Sequence, residues 1–215
     1  MTMPTAMDFT NRWMRRHTVS GAGTLPDWMP DQMTLDDLYA MPGHLIRRSQ
    51  QIAWAIFMEE CADFGITPVQ YAALIAVEQS PGIDATRLSA LIAFDRSTLG
   101  NVLERLEARG LIARSEDKND RRVKLLRLTR QGRRLLADVK PAVGRVQERI
   151  LEPLRPPDRE QFMVLLEQLV SLNNESSRAP LRLQTAEPPD SDSRRGKKPE
   201  RRSGAGPAAA DKKTT

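Results

Sequence analysis

Arg96, Ser97, Thr98, Asn101 and Arg105 lie within ten residues of one another. All five fall off the apolar stripe that Leu99, Val102, Leu103 and Leu106 draw at helical spacing. Arginine can donate twice to guanine, asparagine can pair with adenine, and serine or threonine hydroxyls suit phosphates or bases. A helix carrying them near its start has the side chains that read base edges in a major groove. On an isolated helix the same residues would only solvate a surface, so the neighbouring elements decide. A second set follows at Ser115–Arg122 (SEDKNDRR), with cations Lys118, Arg121 and Arg122 and then Lys124. A minor groove concentrates negative potential, and an arginine on a thin hairpin is suited to enter it. Arg121 is expected to be that residue. Arg122 is expected to pair with Asp117 or Asp120 and hold the shape of the tip. Arg87 is placed to reach backbone phosphate, and Asp95 reads as a helix cap.

Charge is distributed in the same sense. The 215 residues carry a formal +5, but residues 176–215 hold ten Lys/Arg against five Asp/Glu and account for all of it. Within the neutral remainder, residues 87–134 hold 13 basic and 6 acidic groups. A basic block inside a mildly acidic body is the footprint of a nucleic-acid face, although a solvated charged surface would look similar.

The elements that must position these residues are mostly helical. Aromatics are 5% of the chain, and its apolar content is carried by Leu, Ala, Ile and Val. Residues 1–41 read as an irregular arm with a short helix near Leu35–Tyr39, and Trp13 and Trp28 as its anchors. A helix is expected over 43–64, with Leu45, Ile46, Ile52, Ala53, Ile56 and Phe57 as its stripe and Gly65 as its stop. Thr67-Pro68 starts the next helix as N-cap and first helical residue. Asp84 caps a third helix and Asp95 a fourth, which Gly110 closes; two helices joined by a few residues are helix-turn-helix spacing. Leu111–Arg114 and Val123–Leu128 flank the polar run and form a β-hairpin. Thr129 caps a helix over 129–152, with Gly132 tolerated early. Its Leu136, Val139, Val143, Val146 and Ile150 make a heptad seam expected to pack across a dimer axis. Pro141 should kink it. A last helix spans 158–173. The composition of 176–215 predicts a disordered basic tail that adds only non-specific DNA affinity.

Several function classes are disfavoured. The two histidines, His17 and His44, lie far apart without neighbouring ligands, and no GxSxG, P-loop, CxxC or HExxH occurs. No catalytic residue, metal site or cofactor is therefore expected. The single cysteine, Cys61, excludes an intramolecular disulfide. No secretory signal or membrane span is legible, so a cytoplasmic protein is expected. A sequence-independent architectural DNA binder stays open, because the basic tail alone could neutralise phosphates.

The order helix, helix, helix-turn-helix, wing, long helix, helix resembles the MarR family of winged helix-turn-helix transcriptional regulators. The resemblance is carried by Thr67–Leu136, most specifically by DRSTLGNVLERLEARGLIAR and DKNDRRVKLLRLTRQG. Family wings often read Asp-x-Arg-Asp-x-Arg; here Asn119 takes the third position and the arginines are Arg121 and Arg122. The resemblance implies a mainly α fold with a β-hairpin wing and a helical dimerisation region. The domain is expected over 42–175, with its DNA lobe at 67–136 and dimerisation helices at 43–64, 129–152 and 158–173. It further implies a homodimer on a palindromic double-stranded operator, acting as a repressor released by a small organic effector. That effector, an aromatic acid or CoA thioester, would bind between the dimer helices and the DNA lobe. His44, Arg48, Gln51, Trp54, Met58 and Tyr71 are the candidate lining, though ordinary interface packing would use the same residues. Some relatives instead sense hydroperoxides through a reactive cysteine. Cys61 lies beside Glu59, Glu60 and Asp63, which would disfavour a thiolate.

Overall fold

The computed structural model describes residues 33–118 and 120–183. Trp13, His17 and Trp28, the rest of the arm before Met33, and the chain after Leu183 lie outside the described residues.

Five of the seven α-helices among the described residues begin where a short polar side chain bonds an unsatisfied N–H group, and the other two begin with proline. Thr34 and Asp37 form a reciprocal capping box on α1 (Leu35–Ala40). Pro42 opens α2 (Pro42–Glu60). Thr67 and Gln70 form a second box on α3 (Pro68–Gln79), with Pro68 at the first helical position. The Asp84 carboxylate accepts from the Thr86 and Arg87 amides, 2.7 and 3.0 Å, and starts α4 (Ala85–Leu91). Asp95 does the same for α5 (Arg96–Ala108), accepting from the Ser97 amide at 2.8 Å. Thr129 caps α6 (Arg130–Leu151). The last helix, α7, is Pro156–Leu172.

Three findings revise the expected elements. The helix over 43–64 ends early, at Glu60, and Ala62–Phe64 tightens into a 3₁₀ turn before Gly65 at φ +57°. The Arg109 guanidinium, 44 residues away, donates to the Gly65 and Phe64 carbonyls at 2.6 and 2.9 Å. The hairpin is part of a three-stranded antiparallel sheet. Its added strand is β1 (Ile83–Asp84), which pairs with β3 (Lys124–Leu128); β3 pairs in turn with β2 (Ile112–Glu116). Ile83 opposes Leu126, and both are buried, so a two-residue strand suffices to close the lobe's core. Gly132 is required rather than tolerated. A Cβ there would sit 2.1 Å from the Leu111 carbonyl oxygen, because the start of α6 crosses directly over the start of β2.

The apolar residues gather in two cores. One joins α3, α4, α5 and the sheet through Leu74, Val77, Leu88, Leu99, Leu106 and Leu126. The other joins α2 to α6 through Phe57, Cys61, Ile66, Val139, Ala142 and Val146, with Tyr71 and Leu135 packed against both. The heptad seam is thus filled from within the chain, by α2 and its following turn. Val139 and Val146 meet Phe57 and Cys61, which leaves those positions unavailable to a partner's helix. Glu60 bridges Arg145 and Arg149, each at 2.7 Å, and Glu59 meets Arg149 at 2.9 Å, fastening the same pair of helices. Pro141 lies on the exposed side of α6, which runs through it as one helix. The apolar stripe expected on α2 divides. Phe57 is buried, but Leu45, Ile46 and Ile52 stay about half exposed.

Candidate nucleic-acid interface

The joint between α4 and α5 sets the direction of the second helix. Ala93 turns the chain at φ +50°, and the Phe94 amide bonds back to the Ser89 carbonyl at 2.9 Å. From there Leu99, Leu103 and Leu106 anchor α5 in the lobe's core. The period of 3.6 then puts Arg96, Ser97, Thr98, Asn101 and Arg105 outside, and all five are exposed. Ser97 is partly engaged, since its hydroxyl donates to the Asp95 carboxylate at 2.5 Å. That bond and the Ser97 amide hold the Asp95 carboxyl below the usual range, so the cap stays ionised.

The wing is shaped by its carboxylates acting on backbone. The Arg122 amide donates to the Asp120 carboxylate at 2.9 Å, and the Asp120 amide to that of Asp117 at 3.3 Å. The Val123 amide bonds the Asp120 carbonyl at 2.9 Å, closing the turn. The Arg122–Asp120 link expected from sequence therefore uses Arg122's main chain. Lys124 opposes Glu116 in the strand register and pairs with it at 2.8 Å, which draws its charge into the hairpin. Lys118 and Arg121 are exposed at the tip, and Arg121 has no ion pair among the described residues. Arg87 lies 3.6 Å from Asp84, so its guanidinium supports a cap while staying about 38% exposed.

Two residues that sequence reasoning passed over hold this geometry. Arg114 on β2 meets Glu107 on α5 at 3.0 Å and ties the base of the wing to the helix. Arg109 ties the end of α5 to the turn after α2. Gly65 is 44 residues from Arg109, Glu107 faces Arg114 only because the chain turns from helix to strand between them, and no motif marks either pair.

The six candidate effector residues divide. His44, Arg48, Gln51 and Met58 share one face of α2, with Trp54 at its edge, about half exposed. The Gln51 carbonyl accepts from Arg47 at 3.1 Å. His44 stands 5.5 Å from the Tyr39 ring, and its Nε2 is buried with no partner among the described residues. Tyr71 lies apart on α3, its ring 6.2 Å from Phe57, and burial pushes its hydroxyl pKa up. Cys61 is buried, and burial first, then the charge of Glu60, pushes its thiol up. This opposes the thiolate a peroxide sensor needs. Among the described residues no cluster of His, Cys, Asp or Glu could hold a metal, and no helix is long and apolar enough to cross a membrane.

Comparison with known proteins bears on this arrangement directly. The MarR family model matches residues 66–124. The HTH-type transcriptional repressor NicR of Pseudomonas putida is 30% identical over 147 residues, 68% of this chain and 93% of NicR. The chain belongs to the MarR family. Among solved structures, the transcriptional repressor CouR bound to a 23-mer DNA duplex superposes with a TM-score of 0.59 at 28% identity. It covers 65% of this chain and 99% of CouR. Bordetella bronchiseptica BpsR, whose DNA binding is regulated by 6-hydroxynicotinic acid, is 32% identical with a TM-score of 0.57. It covers 61% of this chain and 94% of BpsR. The MarR match contains α3, α4, α5 and the wing tip, so the winged helix-turn-helix expected from sequence is the family's own unit. The expected MarR-type fold, mainly α with a small antiparallel sheet, is the one observed, and its work is DNA binding in transcription regulation.

Proposed function

We propose that this MarR-family chain is a homodimeric repressor that binds a palindromic operator and leaves it when a small organic acid binds. The observation that carries the reading is the exposed polar face of α5. Arg96, Thr98, Asn101 and Arg105 stand clear of the lobe, and the Arg114–Glu107 pair holds the wing beside them. Arg96, Asn101 and Arg105 are assigned to base edges, Ser97 and Thr98 to bases or phosphates, Arg87, Lys118, Arg122 and Lys124 to phosphates, and Arg121 to the minor groove.

The dimer reading is supported by apolar surface that this chain leaves open. Phe162, Leu165, Leu166 and Leu169 on α7 are 38–56% exposed, and α2 adds Leu45, Ile46 and Ile52. Contiguous apolar surface of this kind marks an interface. The dimerisation helices are thus α2 and α7, with α6 as their internal support. For the effector, His44, Arg48, Gln51, Trp54 and Met58 offer a cation, polar groups and an aromatic face on one helix, and Tyr71 closes the lobe side. BpsR supports an aromatic acid as the ligand class. The domain is assigned to 42–175, preceded by the arm and followed by the basic tail.

The test is a footprint across the chain's own promoter region, repeated with a panel of aromatic acids and their CoA esters. The expected result is protection of a short palindrome with half-sites about one helical turn apart, lost on addition of one acid. Uniform protection with no preferred site would leave an architectural binder instead.

A further inference from the structure

The basic tail was expected to begin at Ser176, but the chain is fastened as far as Arg182. After α7, Asn174–Ser176 makes a 3₁₀ turn. The Asn174 side chain accepts from the Leu181 amide at 2.8 Å and donates to the Leu181 carbonyl at 3.2 Å. Glu175 accepts two bonds from the Arg182 guanidinium, 2.5 and 2.8 Å. These bonds close residues 174–182 into a clasp. The Arg182 amide then donates to the Ala90 carbonyl at 2.9 Å, near the end of α4. The neighbouring Ser89 carbonyl holds the Phe94 amide, so the clasp is seated on the joint that sets the direction of α5.

The clasp carries one cation that no partner meets. Glu175 meets the charge of Arg182, whereas Arg178 is exposed and has no hydrogen bond or ion pair from its side chain among the described residues. Its backbone is held on both sides. The Ser177 amide donates to the Asn174 carbonyl at 3.1 Å, and the Ala179 amide to the Ser177 hydroxyl at 3.2 Å. The Asp95 carboxyl, held low first by the Ser97 hydroxyl, also feels the Arg178 charge, so that guanidinium lies within electrostatic reach of the cap of α5. Asp95 is itself occupied by the Ser97 amide and hydroxyl. We propose that the clasp is part of the DNA-binding surface and that Arg178 binds an operator phosphate beside the start of α5. This rests on the operator-binding reading above. A guanidinium can fork onto a phosphate with two charge-assisted bonds. A clasped backbone has little freedom left to lose when it does so. Arg178 stands off the reading helix, so its contact should position the protein without specifying a base.

The test uses the full-length chain throughout. A binding site is first selected from random duplexes, and affinity for the selected duplex is measured across a salt series. Arg178→Gln should weaken binding about fivefold at about 100 mM salt and lower the salt slope by about two, one phosphate for each of two protomers. It should select the same sequence as the wild type. Arg178→Lys should restore most of the affinity, since a phosphate accepts either cation. Lys140→Gln, which removes an exposed cation on α6, should change neither affinity nor slope. Asn174→Ala with Glu175→Gln and Arg182→Gln opens the clasp at unchanged net charge. It should lose as much as Arg178→Gln, and adding Arg178→Gln to it should cost little more. Wild-type affinity and slope in Arg178→Gln refute the proposal. So does an equal loss in Lys140→Gln, which is a general charge effect, or a changed preferred sequence, which is a base contact. A full further loss when Arg178→Gln is added to the open clasp refutes the clasp's part. A chain that selects no site refutes the operator reading and this proposal together; one that selects a site but is indifferent to Arg178 refutes the proposal alone.

Discussion

The lobe from α3 to β3 buries Leu74, Leu88, Leu99 and Leu106 completely, whereas α7 leaves Leu165, Leu169 and Leu172 56%, 46% and 86% exposed. The two regions have similar apolar residues at similar helical spacing. They differ in what surrounds them. In the lobe, three helices, the start of α6 and a sheet converge within some 70 residues, and each of these helices starts at a side-chain cap close in sequence. The apolar residues of α7 find no buried position in the chain. The first region is a finished fold, and the second leaves its apolar face open, as the proposed dimer requires.

The largest effect expected within the lobe is from Leu99→Ala, which removes a fully buried side chain from beneath the recognition helix. It should cost about 2–5 kcal/mol in urea denaturation. Leu165→Ala should cost far less in the folding of a single chain but raise the dimer dissociation constant, read by sedimentation. Equal losses in both assays would break the distinction between the regions. Gly132→Ala should cost roughly 3 kcal/mol, because its Cβ meets backbone that cannot rotate away.

Arg121→Ala should weaken operator binding by roughly 1–3 kcal/mol with no change in melting temperature. Unchanged affinity in a gel-shift titration would remove the wing from the interface. Ala93→Gly should stabilise the lobe by up to about 1 kcal/mol, since the left-handed turn strains any residue with a Cβ. The smallest effect concerns pH. Arg145 and then Arg149 hold the Glu60 carboxyl below its ordinary 4.5. A depressed carboxyl contributes stability that is present above the unfolded pKa and lost as pH falls through the folded one. Wild-type stability should therefore fall faster below pH 4.5 than that of Glu60→Gln, measured by thermal melts across the acid range.

Much of the fold was legible because its signals are local. Thr67, Asp84, Asp95 and Thr129 cap the helices they were expected to cap, since a cap acts on amides two or three residues away. Gly65 and Gly110 stop their segments at positive φ, as a missing Cβ allows. The exposed residues of α5 followed from period alone. What was misread involved partners distant in sequence. The seam of α6 carries the right residues for a coiled coil, but spacing does not say whose helix fills it; Phe57 and Cys61 of the same chain do. Two-residue strands such as Ile83–Asp84 have no periodicity to detect.

Amino-acid order by itself determined where the helices of the lobe begin, which face of the recognition helix is apolar, and that a basic block falls on a helix-turn-helix. Those are matters of reach within one or two turns of chain. Tertiary structure alone decided that Arg109 and Arg114 brace the recognition helix, and that Gly132 admits no side chain beneath Leu111. It also decided that the chain after α7 returns to Ala90. Arg114 meets Glu107 across the turn from helix to strand, and the other contacts join residues 21 to 92 apart; only the folded backbone brings such groups within bonding distance.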